Sequence, residues 1–332
     1  MRVRVVISTV IVAASVVACG LSIIGADEQD EIVDEADGAS EGGVVVGDSS
    51  TVDGEAEAED PPLPPPLDPF DGGIDASPEN CAAACADAGT CVDGWCTIAC
   101  DGGAECQGRV VTCPPGVPCN IQCNGANACK AGVDCADATA CNVLCDGQSS
   151  CTNERVKCKG AACQVTCSKK DACIKGVGCD AGTCVVRCLG NDTCKNEKVV
   201  CHADQCSVEC GVVSADGVGN NACIAGVECR ATTSCDVRCL ANNSCKNADV
   251  VVVAGDTADV TCAGSASCGK KVFASAGDSG VQCLGQNACK DGVSCDGGRC
   301  AAHCERSNTR LCCEATACAP TKANCKIDLG CP

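Results

Sequence analysis

Two periods are superimposed in the apolar positions of this chain. From residue 96 onward a five-residue phrase, Cys-x-[Val/Ile]-x-Cys, returns about every 22 residues, its copies starting at 96, 119, 141, 163, 184, 206, 235, 258, 279 and 300, with Ala258 and Ser279 opening two late copies. Its central residue is Ile98, Ile121, Val143, Val165, Val186, Val208, Val237, Val260, Val281 and, last, Ala302. Strict alternation puts the Cys, Val and Cys of each phrase on one face of a β-strand and the residues between them on the other. A second segment in each unit repeats the alternation, with Val111, Val133, Val156, Val177, Val199, Val227 and Val293 each two residues before a Cys. The links between segments, among them NGANA after Cys123, DGQSS after Cys145, LGNDT after Cys188 and LGQNA after Cys283, are turn chemistry. Gly, Asn, Asp and Ser tolerate left-handed backbone angles and bond their own main chain.

A unit of two short strands cannot bury its inner face alone, so a fixed period of this length implies stacking. The pattern predicts an all-β fold, a parallel β-helix or β-solenoid of about nine 21–23-residue coils across residues 96–304, stapled by disulfides. At a strand spacing of about 4.8 Å such a rod is roughly 45 Å long. The rival architecture, a string of independent cystine knots, leaves each unit with almost no core of its own.

Composition sharpens this picture. The 332 residues include 43 Cys and 37 Gly, no Tyr, and only Trp95, Phe70 and Phe273 as aromatics. An interior without large aromatic side chains is built from Val, Ala and sulfur. A Cys content this high marks a disulfide scaffold, which persists in an oxidising compartment. The protein is therefore expected to be exported.

The irregular units allow the cysteines to be paired by comparison. Seven junctions between successive units carry both cysteines: Cys113–Cys119, Cys135–Cys141, Cys158–Cys163, Cys179–Cys184, Cys201–Cys206, Cys229–Cys235 and Cys295–Cys300. Two junctions carry neither, reading Val253/Ala258 and Ala274/Ser279 instead, and none carries only one. Joint loss is the mark of bonded partners. The second and third cysteines of each unit then pair across the other turn: Cys100–Cys106, Cys123–Cys129, Cys145–Cys151, Cys167–Cys173, Cys188–Cys194, Cys210–Cys223, Cys239–Cys245, Cys262–Cys268 and Cys283–Cys289. Each short loop contributes about 2 kcal/mol in the chain-entropy account. Cys81, Cys85, Cys91 and Cys96 remain before the array, and Cys304, Cys312, Cys313, Cys318, Cys325 and Cys331 after it. Both sets are even, which suits self-contained caps over 80–95 and 305–332, with their pairing left open.

The region before the array has a different character. Residues 1–18 read as an export signal, with Arg2 and Arg4 at its start and an uncharged run, VVISTVIVAASVVA, behind them. Val16-Val17-Ala18-Cys19 resembles the lipobox of bacterial lipoproteins, although Val16 stands where Leu is commoner. The resemblance implies cleavage before Cys19, lipidation of that residue and anchoring in a membrane, since two acyl chains hold stably where one is marginal. Residues 27–79 carry 18 Asp plus Glu, no Lys or Arg, and PPLPPP at 61–66. Like charges extend such a segment and prolines stiffen it, so 19–79 is expected to be a disordered tether, either repelled from an anionic membrane so as to hold the body outward or simply a solvated linker.

Most function classes lose ground on these residues. Residues 80–332 carry 26 acidic and 22 basic side chains, and with so few aromatics this disfavours nucleic-acid binding. Two histidines, His202 and His303, do not make a catalytic constellation. The Cys-x4-Cys pairs are turn junctions, Cys-x2-Cys knuckles are missing, and Cys312-Cys313 is a lone vicinal pair, so neither metal nor cofactor is expected. The coil-and-disulfide plan is similar to that of insect antifreeze solenoids, but the Thr-x-Thr ladder of those proteins is missing here. Lys130, Lys195, Lys246 and Lys290 each follow the third Cys of a unit and are expected to line one edge, where a Lys row discourages sideways aggregation. The twelve-residue link GVVSADGVGNNA between Cys210 and Cys223 is the one long insertion.

The reading that results is a non-catalytic, membrane-anchored lipoprotein at a bacterial outer membrane or cell surface, serving as adhesin, envelope element or scaffold for a surface protein or glycan. Two alternatives stand beside it. One is a β-helix hydrolase or lyase acting on extracellular polysaccharide, which requires carboxylates on adjacent coils with Arg across a groove. The other is a thiol protein that binds metal or buffers redox, which requires free cysteines.

Overall fold

The computed structural model describes residues 78–102, 106–212, 219–304, 310–313, 317–320 and 326–327. The signal segment 1–18, Cys19 and nearly all of the linker 19–79 lie outside the described residues, as do 213–218 of the long insertion and part of 305–332. A short helix, Pro78–Cys85, and an antiparallel hairpin of Thr90–Val92 with Trp95–Cys100 open the folded part. Every further strand pairing among the described residues is parallel, coil upon coil.

The result is a β-solenoid of about nine turns with a single core. The first ladder stacks the Cys-x-[Val/Ile]-x-Cys phrases in register, from Cys96 over Cys119, Cys141 and Cys163 upward. Its central column, from Ile121 through Val143, Val165, Val186, Val208, Val237, Val260 and Val281, is at most 1% exposed. The second ladder carries Val111, Val133, Val156, Val177, Val199 and Val227 on its buried face and continues through Val250 and Val272 to Val293. Val250 and Val272 escape a search for Val before Cys because the cysteines they would precede are absent. Removing each such side chain from water contributes about 1.5–3 kcal/mol, which offsets only part of the entropy of ordering a coil and leaves the rest to coil-to-coil bonds, packed sulfur and the bridges.

The two segments of a unit are not separate strands in most coils. Val156–Cys167, Val177–Cys188, Val199–Cys210, Val227–Cys239, Val272–Cys283 and Val293–Cys304 are continuous runs that bend through the corner. Small residues permit the bend, for a Cβ added at Gly182 would lie 2.6 Å from the Ala161 carbonyl oxygen of the coil below.

From Asn127 to Cys289 the third side of the coils is a left-handed turn with its own hydrogen-bond ladder. Asn127 and Cys129, Ser149 and Cys151, Asp171 and Cys173, and Asn243 and Cys245 all have positive φ. In that conformation the Cys151 N–H donates to the Ala128 carbonyl at 3.1 Å, Cys173 to Ser150 at 2.9 Å, and Cys245 to Ala222 at 3.1 Å. A left-handed backbone is costly for any residue with a Cβ except Asn and Asp. Here the bridge to the neighbouring strand and the coil-to-coil bonds over-determine it. Between the two left-handed residues stands Ala128, Ser150, Ala172, Thr193, Ala222, Ser244, Ser267 or Ala288, always small and fully buried. The hydroxyls of Thr193, Ser244 and Ser267 donate to the carbonyls three residues back, at 2.6–2.8 Å, so the buried oxygen is satisfied locally.

The register corrects one equivalence. The residue opposite Cys229 is Val252, not Val253, and Ala274 follows it in the column before Cys295. The link from Val252 to Ala258 is one residue longer than that from Ala274 to Ser279, and without a Cys to mark the position the shorter spacing misleads. Parallel pairing also runs on past Cys304. Arg310–Cys313 and Ala317–Pro320 continue the two ladders, with Cys313 in register with Cys295 and Cys318 with Cys300.

Candidate functional site

The cysteines named by unit comparison are brought together by the fold in the same pairs. All sixteen bridges are present, the Cα atoms of each pair 5.8–6.5 Å apart, including Cys210–Cys223 across the long insertion. Two more, Cys81–Cys91 and Cys85–Cys96, tie the helix and hairpin to the first coil, and Cys304 is disulfide-bonded as well. The bridges form two stacks. The one joining the first ladder to the left-handed turn is unbroken from Cys100–Cys106 to Cys283–Cys289. The stack at the corner skips the coils of Val252/Ala258 and Ala274/Ser279, whose side chains fill the column with smaller or apolar groups.

Sulfurs of successive bridges are close neighbours. Those of Cys123, Cys129 and Cys151 lie within 4.8 Å of one another, as do those of Cys145, Cys167 and Cys173. In a bridge these atoms carry no thiolate charge, and thiolate is the form that ligates metal. Their proximity here is the packing contact of stacked disulfides.

Chemistry-bearing side chains gather instead on the outward face of the first ladder. Arg187, Glu209 and Arg238 occupy one column on three successive coils. Arg187 Nε lies 3.6 Å from a Glu209 carboxylate oxygen, while Arg238 turns along its own strand to Asp236 at 2.9 Å. Asp236 and Asp259 are neighbours in the adjoining column. Burial raises the Glu209 carboxyl above its usual value near 4.5, against the opposing pull of Arg187 and Arg238. Asp259 is likewise raised, by burial first and then by Asp236, with Arg238 opposing.

The sign of the Glu209 shift gives a stability prediction. A carboxyl whose folded-state pKa exceeds its unfolded one costs nothing below the unfolded value, and the cost is complete above the folded value. Glu209→Gln is therefore expected to melt above the parent protein at neutral pH, the gap narrowing as pH falls through the raised folded-state value and vanishing below about 4.5. Parallel thermal melts across that range check it.

A shallow trough of about 460 Å³ runs along the corner over Ala181, Ala203 and Ala231, with Asp180, His202 and Arg230 on one wall and Asp204 and Thr232 on the other. His202 thus faces an open groove, between Asp180 of the coil below and Arg230 of the coil above. Most of these charges are already engaged: Lys159 with Asp180 at 3.9 Å, Arg230 with Glu228 at 2.8 Å, and Asp204 with the Thr232 hydroxyl at 2.7 Å.

Lys130, Lys195 and Lys246 share one column, as expected of an edge, but not on consecutive coils. Coil-to-coil bonds such as Asn153 N–H to the Lys130 carbonyl and Asn196 N–H to the Ile174 carbonyl place Thr152 and Ile174 in the column between Lys130 and Lys195, and Ile224 before Lys246. The interruption arises because the Lys-bearing units are not consecutive in the chain. Lys195 and Lys246 bond within their own turns, to Asp192 and Asn243, each at 2.9 Å.

Arg187, Glu209, Asp236, Arg238 and Asp259 were not singled out by sequence reasoning. The signal was available, since each occupies an x of Cys-x-Val-x-Cys or its equivalent, and reading those positions down the units gives the columns directly. Comparison of the chain with protein families, characterised proteins and solved structures gives no match.

Proposed function

We propose that the protein is an exported, membrane-anchored scaffold without catalytic activity, its rigid rod presented outward on an acidic tether to bind a partner at the cell surface. The observation that carries this reading is the engagement of thirty-six cysteines, among the described residues, in eighteen disulfides from Cys81 to Cys300. Such a protein is made and kept in an oxidising compartment. The apolar run ending in Cys19 and the cationless segment 27–79 support the anchor and the spacer. The test is the intact mass of membrane-extracted protein, alkylated with and without reduction. The expected product starts at a lipid-modified Cys19, takes no label when oxidised and takes 42 labels of the chain's 43 Cys when reduced. An unlipidated chain with free thiols overturns the reading in favour of a thiol protein.

A second reading, a hydrolase or lyase acting on extracellular glycan, has one observation in its favour. Glu209, Asp236 and Asp259 stand on adjacent coils beside Arg187 and Arg238, and two of the carboxyls are shifted toward the protonated form. Against it, Arg187 and Arg238 share a column with Glu209 on a sheet face and do not oppose it across a groove.

A further inference from the structure

The outward column that holds Asp236 and Asp259 shrinks to Gly280 and then Ala301 on the next two coils. The loss of bulk opens a depression of about 380 Å³, lined by Thr257, Asp259, Asp278, Gly280, Arg299 and Ala301. One wall is closed electrostatically, because Arg299 Nε and an Arg299 terminal nitrogen both donate to the Asp278 carboxylate, the second at 2.7 Å. Asp259 is different. The residue is open to solvent, though its carboxyl is partly shielded by neighbours, and it makes no hydrogen bond or salt bridge among the described residues, although Arg238 stands one coil away and bonds Asp236. Its carboxylate leans over Gly280 instead, with Oδ1 only 2.5 Å from where a Cβ at that position would be. Gly280 is thus the residue that lets this carboxylate lie in the depression. The remaining floor, Gly280 and Ala301, offers no opposing charge.

We infer that this depression is a binding site for an aliphatic ammonium group on an apolar stem, as presented by a lysine side chain of a partner protein. The unpaired Asp259 carboxylate faces the ammonium, the Thr257 hydroxyl lies on the same face of its strand, and the Gly280–Ala301 floor accepts the methylene chain. Burying such a stem while the charged head keeps contact with water is the ordinary behaviour of lysine at a surface. The assignment deepens the partner-binding reading, and rests on it, by naming the chemistry the rod selects. It is tested separately from anchoring, so loss of one leaves the other measurable.

The experiment titrates oxidised, full-length protein with Nα-acetyl-lysine methylamide, its Nε-acetylated form and glucosamine, following the backbone amides of Asp259 and Gly280 by NMR. The lysine probe is expected to bind in the millimolar range and to weaken with added salt. Asp259→Asn is expected to weaken it about fivefold, the scale of an exposed ion pair. Gly280→Ala displaces only the flexible end of Asp259, so the fold is retained while the site is filled, and binding should fall similarly. The Nε-acetylated probe should show no saturable shift, and glucosamine, which has the charge without the stem, should bind more weakly than lysine. Equal binding of the two lysine probes, tighter binding of glucosamine, an unaltered Asp259→Asn protein, or no saturation by the lysine probe would each overturn the assignment.

Discussion

Val208→Asp is expected to prevent the chain from reaching its oxidised fold. Val208 is fully buried at mid-rod, with Val186 below and Val237 above in the same column. A carboxylate there has no partner within the core, and a buried unpaired charge costs more than about 4 kcal/mol. Oxidative refolding followed by thiol alkylation should give heterogeneous, partly labelled chains in place of a thiol-free monomer. Ser207→Asp, one residue away on the outward face, is the control and should refold as the parent does, within about 0.5 kcal/mol.

The second large effect concerns one bridge of the unbroken stack. Removing Cys167 and Cys173 together, as the Ala pair, is expected to lower stability by about 2–3 kcal/mol, read as an earlier denaturant midpoint. Removing Cys167 alone is expected to be worse in kind. It leaves the Cys173 thiol beside Cys145, whose sulfur belongs to the same close group. The Cys173 thiolate then attacks Cys145 Sγ, forms Cys145–Cys173 and expels the Cys151 thiolate, an exchange that needs no external oxidant. Peptide mapping of the single variant should recover that coil-crossing bridge, and mapping of the double variant should not.

Much of this fold was legible because strand alternation and unit period reinforce each other. Cys, Val and Cys at every second residue, recurring each coil, determine both the buried face and the register, so parallel stacking and sixteen bridges could be read from spacing. Legibility failed where a marker residue was missing. No Cys marks the position of Val252, so spacing alone points one residue too far, and the same absence leaves Val250 and Val272 without a marker. The left-handed third side was hidden for another reason. Cys129, Cys151 and their equivalents adopt a backbone that Cys has no intrinsic preference for, and coil-to-coil bonds impose it. The connections Cys81–Cys91 and Cys85–Cys96 depend on how a helix lies against the first coil, which spacing does not encode. The outward charges become neighbours only through stacking, since each x position is polar and unremarkable within its own unit and forms a column once the coils are in register.

Each described bridge closes a loop of its own, spanning 5 to 13 residues, and none of them ties one coil to the next. Under a pull along the axis, the contacts that resist between described coils are non-covalent: main-chain hydrogen bonds, the packed Val and sulfur columns, and side-chain pairs such as Arg187–Glu209, so the rod should yield one coil at a time. A yielded coil cannot extend fully. From Cys163 to Cys184 the bridges Cys167–Cys173 and Cys179–Cys184 replace eleven residue steps with two spans of 6.2 Å, leaving an extended length of about 45 Å where an unbridged chain would reach about 70 Å. The length released per coil is thus written in its cysteine spacing. The longest releases belong to the two coils of Val252/Ala258 and Ala274/Ser279, where the corner stack is interrupted.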